Sequence, residues 1–143
     1  QVDHRFAKAE DQVVAPDAGK GGLIFGANGT YSVIYVVEWN FEGNCAVTRY
    51  KNVVFPTTVI DFGNITYLKN WGGGCYLNVG YDKHNIVKVS VVGNQATVYV
   101  NGKTLGTYTD NDISYFHNVG LLTGSWDRTP VESRFDDFRI TPR

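Results

Sequence analysis

The chain has 143 residues, thirteen Lys and Arg against fourteen Asp and Glu, a formal net charge of -1 and 14% aromatic residues. That length holds one domain with its own core and not two ordinary ones. Balanced, scattered charge excludes the basic patch that nucleic acid or an anionic membrane demands, and no apolar run nears the ~18 residues that span a bilayer, so no nucleic-acid partner and no membrane insertion is expected.

Sixteen Gly, nine Tyr and eight Phe suit a β protein rich in turns, because rings pack on pleated surfaces and Gly supplies positive φ at corners. In chain order, residues 1–20 are irregular. Asp3 stands as a helix cap with Phe6, Ala9 and Val13 at helical spacing, so a short N-terminal helix and an irregular strand both remain open. From Gly21 the pattern becomes strand, turn, strand. GGLIFG leads into YSVIYVVEW, which is too apolar for an edge exposed on both faces, then a turn in NFEGN and the strand CAVTRYK.

Residues 52–83 are less regular and read as an insertion-like loop region, with Trp71 beside three successive glycines whose backbone can approach another surface closely. Regularity returns with NIVKVSVV, the corner Gly93-Asn94, QATVYVN, the Asn101-Gly102 pair of a type I′ turn, and KTLGTYT. Val98 and Val100 are expected to face the core. HNVGLLTG and SRFDDFRIT close a set of about ten strands, with turn signals every 8–12 residues as in a sandwich. There is no internal repeat and no low-complexity tract.

Cys45 and Cys75 have no zinc-type spacing. A disulfide between them closes a ~30-residue loop and contributes about 3–4 kcal/mol in the chain-entropy model; two buried free thiols are the alternative. The chain holds no Met and starts at Gln1, which fits removal of a secretory leader and equally a trimmed chain. Asn28 and Asn64 stand in Asn-x-Thr patterns and are candidate glycosylation acceptors. These signs together give a secreted, extracellular protein as the expectation.

The segments N-I-V-K-V-S-V, Y-V-N-G-K, N-V-G-L-L and F-D-D-F-R-I, in this order from Asn85 to Ile140, resemble the concanavalin A-like jelly rolls, specifically the laminin G-like and related bacterial domains. GGLIFGANGTYSVIYV resembles the earlier strand pair of those domains. The resemblance implies a single all-β domain, residues 1–143, built as a two-sheet antiparallel jelly-roll sandwich. It has one departure. Such domains begin with one or two further strands, and here only about twenty residues precede the Gly-Leu-Ile-Phe strand. A sheet left incomplete at its front exposes an edge that a neighbouring chain could cover.

Fold does not fix function, so each chemistry is weighed on its residues. Laminarinase-type glycosidases on this fold carry E-x-D-x-E on one strand face, and Glu38, Asn40 and Glu42 echo it. A retaining glycosidase needs its two carboxyls about 5 Å apart, whereas the central acid is Asn here and NFEGN reads as a turn. Catalysis is therefore the minority reading, and no cofactor is expected. Asp110 and Asp112, with Asp136 and Asp137, are candidate ligands for one structural calcium ion, although Leu121 stands where a full calcium loop places its bidentate Glu.

Sugars stack on aromatic rings and are fixed by planar polar groups, and two clusters offer this combination. One is Trp71 with Asn70, Tyr67 and Tyr76. The other is Trp126, Asp127 and Arg128 with Tyr115 and His117. The leading expectation is a non-catalytic secreted recognition module for a glycan or glycoprotein surface, with Trp71 and Trp126 as stacking platforms. Its alternative is a structural or adhesive subunit that self-assembles through strand edges.

Overall fold

A computed structural model of the chain describes residues 1–6, 19–28, 30, 32–52, 64–80, 82–115, 118–125 and 133–141. Its strands are β1 (Val2–Phe6), β2 (Gly19–Ala27), β3 (Val33–Asn40), β4 (Cys45–Lys51), β5 (Asn64–Gly72), β6 (Asn85–Val92), β7 (Gln95–Val100), β8 (Lys103–Thr109), β9 (Asn118–Ser125) and β10 (Ser133–Asp136). A 3-10 turn at Asn111–Tyr115 is the one helical element among the described residues, and no helix there is long and apolar enough to cross a membrane.

The ten strands form two five-stranded antiparallel sheets, ordered β10-β1-β6-β7-β8 (sheet A) and β5-β4-β3-β2-β9 (sheet B), a jelly-roll sandwich. Alternation decides what lies between the sheets. Leu23, Phe25, Tyr35, Val37, Trp39 and Val47 of sheet B meet Val87, Ala96 and Val98 of sheet A in one buried cluster. Val98 and Val100 face inward as their alternation predicts. Asn101 and Gly102, at φ 49° and 79°, make the tight corner between β7 and β8 that Asn-Gly favours.

Sheet B is buried on its outer face as well. Ala27, Ile34, Val36 and Tyr50 form a second apolar cluster there. That explains why YSVIYVVEW is apolar at consecutive positions: β3 is the middle strand of its sheet and has no solvent side.

Three elements differ from the sequence reading. Val2–Phe6, left open between helix and strand, is β1, and it inserts between β6 and β10 of its own chain rather than leaving that sheet incomplete. Residues 64–72, read as loop, form the nine-residue edge strand β5; its alternation is masked by register shifts between Cys45 and Thr48 of its partner. The last strand stops at Asp136, because Asp137 takes φ 50° and leaves the ladder, after which Gln1 and Arg139 exchange backbone hydrogen bonds. The disulfide Cys45–Cys75 is present, with both cysteines buried in the core.

Candidate functional site

The end of sheet B where β3 finishes carries an open cleft. β3 runs through Asn40, turns over Phe41 to Asn44, and returns as β4. That turn is fixed from both sides: Asn40 N–H donates to the Asn44 carbonyl, while Asn44 N–H donates to Asn40 Oδ1 at 2.9 Å. Beside it β5 ends at Trp71 and Gly72, with Gly72 the register partner of Cys45. A shallow cleft of about 440 Å³ lies between them, lined by Asn40, Asn44, Trp71 and Gly72.

Its groups are an aromatic ring with planar amides. Trp71 is half-buried, with its indole Nε1 shielded from solvent. Asn44 Nδ2 donates to Glu42 Oε2 at 3.2 Å, placing an exposed carboxylate on the rim. Lys69, on the neighbouring strand, donates to the carbonyls of Cys45 and Asn70, each at 3.2 Å, and burial pushes its ammonium below the usual lysine range. Tyr76 and Val79 follow Cys75 as exposed apolar residues, with Lys103 Nζ 5.1 Å from the centre of the Tyr76 ring. An aromatic platform with neutral amides and few charges can hold a polyhydroxylated ligand by stacking and hydrogen bonding.

The predicted glycan residues fall in different places. Trp71 lines the cleft, at the end of a strand rather than in a loop, and Tyr67 is exposed farther along β5. Trp126, Asp127, Arg128 and His117 lie outside the described residues. Of the second cluster only Tyr115 falls within the described residues, at the end of the 3-10 turn that precedes β9. Ser125 pairs with Gly19, and Lys20 with Asn40, so the end of β9 shares the cleft's end of the sheet.

The E-x-N-x-E stretch does not form a carboxylate pair. Glu38 is fully buried on the outer face of sheet B. Its Oε1 accepts from Lys20 Nζ at 2.6 Å, and its Oε2 accepts from Tyr50 Oη at 2.6 Å and Thr48 Oγ1 at 3.1 Å. On the other side of β2, a Cβ at Gly124 of β9 would lie 3.4 Å from the Lys20 stem. Burial, and then the negative charge of Glu38, hold the Tyr50 phenol well above its ordinary value. Glu42 stands exposed on the turn. One carboxylate is sealed and saturated while the other is in solvent.

Three of the four calcium candidates pair with cations of the protein. Arg49 donates to Asp110, and Lys51 pairs with Asp112 at 2.9 Å. Asp137 accepts from Arg139 at 3.2 Å, and Asp136 lies beside it on β10. Among the described residues no three His, Cys, Asp or Glu side chains converge as a metal site. Of the glycosylation candidates, Asn64 is exposed, whereas Asn28 commits its amide to Ser32 and to Val33 N–H inside a turn.

The sequence reading missed Asn40 and Asn44 as cleft residues and Glu38 as one half of a buried pair. A signal for the second was present: a Glu inside an apolar strand run must find partners, and Lys20, Thr48 and Tyr50 lie on the neighbouring strands.

No family model matches the chain, and no curated protein does. Among solved structures it is similar to the carbohydrate-binding module CBM66 from Bacillus subtilis, with a TM-score of 0.63 at 12% identity, covering 95% of this chain and 69% of that one. Sheep galectin-11 in complex with glycerol gives a TM-score of 0.46 at 14% identity, covering 93% of this chain and 87% of the other. At these identities the likeness to the module is one of fold.

Proposed function

We propose that this chain is a non-catalytic, lectin-like carbohydrate-binding module of the concanavalin A-like kind, acting outside the cell, and that the Trp71 cleft is its binding site. The observation that carries the reading is the cleft itself: the half-buried Trp71 beside the amides of Asn40 and Asn44. A sugar ring stacks its C–H face on the indole and shares its hydroxyls with the amides. The fold neighbour is a carbohydrate-binding module, which supports the same ligand class. The sealed state of Glu38 supports a binding role over hydrolysis, because a carboxylate saturated by Lys20, Tyr50 and Thr48 has no room for a substrate oxygen.

A glycan array on the intact chain, followed by titration calorimetry on the best ligand, tests this. Trp71→Ala is expected to weaken binding by about tenfold or more, equivalent to about 1.4 kcal/mol. Unchanged affinity moves the site elsewhere, with Trp126→Ala as the next variant; no binding to any glycan removes the reading.

A further inference from the structure

We propose that the Cys45–Cys75 disulfide is a positioning element for the Trp71 cleft rather than a general staple of the sandwich, so that the cleft is formed only under oxidising conditions. Its link to ligand binding rests on the carbohydrate reading above.

The two walls of the cleft come from different hairpins. The Asn40–Asn44 wall is secured by β3 and β4, which pair at seven consecutive positions from Val33↔Lys51 to Trp39↔Cys45 without a shift. The Trp71–Gly72 wall is less secure. Along β4 and β5 the register slips twice, between Cys45 and Val47 and between Val47 and Thr48, so Cys45↔Gly72 is a single pair beyond an irregular stretch. Among the described residues no strand follows Gly72 until Asn85. A Cβ built at Gly72 or Gly74 would meet nothing within 4 Å, and at Gly73 it would meet only Asn44 Oδ1, at 4.0 Å. Side-chain packing therefore does little to hold Gly72–Gly74, whereas beyond Cys75 the chain is tied down, with Leu77 on the core, Asn101 Nδ2 donating to the Tyr76 carbonyl at 2.8 Å and Asn78 N–H to Asn85 Oδ1 at 2.7 Å.

The disulfide ties the walls together at this weak place. Cys45 follows Asn44 directly, and Cys75 lies three residues past Gly72 with its Sγ 3.1 Å from the Gly72 carbonyl oxygen. Both sulfur-bearing residues are buried at 1% exposure, so the bond sits beneath the cleft and not on its surface. A dithiol reductant cleaves it by taking the bond into exchange: Cys45 and Cys75 gain two electrons and two protons, and the reductant becomes a cyclic disulfide. Freed of that tie, the Trp71 wall moves relative to Asn44, and a site loosened by ~1 Å loses much of its affinity. The pairs of β3 with β4 meet a cysteine only at their last position, Trp39↔Cys45, and the pairs of β6 with β7 contain none, so both ladders stay in place.

Hydrogen exchange resolved by residue tests this on the oxidised chain, on the chain reduced with dithiothreitol, and on Cys45→Ala/Cys75→Ala. The amides of Trp71, Gly72 and Gly73 are expected to exchange about tenfold faster or more without the bond, while Val36–Trp39 and Ala96–Val100 keep their protection. Unchanged exchange at Trp71–Gly73 overturns the proposal. So does equal acceleration in β3 and β7, or unfolding of both disulfide-free forms, because the bond then serves the whole sandwich. Glycan affinity is read in parallel and is expected to fall about tenfold. Loosening of Trp71–Gly73 in a chain that binds no glycan leaves the clamp standing and removes the carbohydrate reading. Glycan binding that survives loss of the bond unchanged removes the clamp and leaves the reading.

Discussion

Glu38 and Asn40 are two residues apart on the same face of β3, yet one is shut inside the protein and the other borders open solvent. Around Glu38 the outer face of sheet B is closed: Lys20, Thr48 and Tyr50 fill its acceptor oxygens, and Ile34 and Val36 pack beside it on the same strand. One turn of the pleat further, the strand ends, and Asn40 lines a cleft with Asn44, Trp71 and Gly72. The first place holds a carboxylate with an ammonium and two hydroxyls, the second two neutral amides beside an indole. They differ too in whether the protein itself supplies the partners. A polar cluster that is internally satisfied holds the sheet together, and one with spare donors and acceptors on a shelf with a ring is a place for a ligand.

The sealed half of this comparison is the more fragile under mutation. Glu38→Ala leaves the Lys20 ammonium buried without its carboxylate, and a loss of about 3–5 kcal/mol in unfolding free energy is expected from urea denaturation. The double variant Lys20→Met/Glu38→Leu removes both charges and is expected to recover most of that loss. If Glu38→Ala unfolds at the wild-type urea midpoint, the face is open to water and the contrast with the cleft fails.

Alkaline pH separates the halves next. The unfolded Tyr50 phenol ionises near pH 10, while burial and the Glu38 charge keep the folded phenol protonated well beyond that. The unfolded state thus loses a proton that the folded state retains. The contribution is complete below pH 10, and each pH unit above it costs about 1.4 kcal/mol for this group. Tyr35 is shifted in the same direction, by burial first and then by Asp110. Tyr50→Phe is expected to flatten the alkaline slope of denaturant midpoints by about one proton, and an unchanged slope means Tyr50 already ionises in the folded chain.

The open half should answer in binding and not in stability. Asn44→Ala removes an amide from the cleft and its bond to Glu42, and a several-fold loss of glycan affinity is expected with less than about 1 kcal/mol of stability lost. Calorimetry and urea denaturation on the same variant read the split. A variant that loses stability and keeps affinity reverses the assignment of this turn.

How much of this was legible beforehand follows the same division. The inner alternation of β6 and β7 and the Asn101-Gly102 corner are local patterns, and they placed Val98 and Val100 correctly. The consecutive apolar run of β3 announced a strand buried on both sides. β5 was not legible, because two irregularities in its pairing and an exposed edge leave Asn-Ile-Thr-Tyr-Leu-Lys-Asn-Trp without a clean period. Nor was the parting of Glu38 from Asn40. Alternation puts both on one face, but whether that face is covered depends on residues far away in the chain, such as Lys20 and Tyr50. Cleft membership has the same non-local origin, since Trp71 meets Asn40 and Asn44 through the pairing of β4 with β5 and the Cys45–Cys75 bond.

The glycines beside Trp71 give the finest test, because the sequence offered one reason for three residues and the structure gives different ones. Close approach to another part of the chain predicts that a methyl group is harmful at each. At Gly72 a Cβ meets nothing within 4 Å and the backbone is an ordinary strand, so Gly72→Ala is expected to leave stability within about 0.5 kcal/mol of wild type. At Gly74 the space is equally empty but φ is +75°, and Gly74→Ala is expected to cost about 1 kcal/mol through backbone strain alone. Thermal melts of the two variants read this difference. A Gly72→Ala chain that is as stable as wild type but binds its glycan several-fold less tightly ties the absence of that side chain to the ligand, since nothing in the protein occupies the space it leaves.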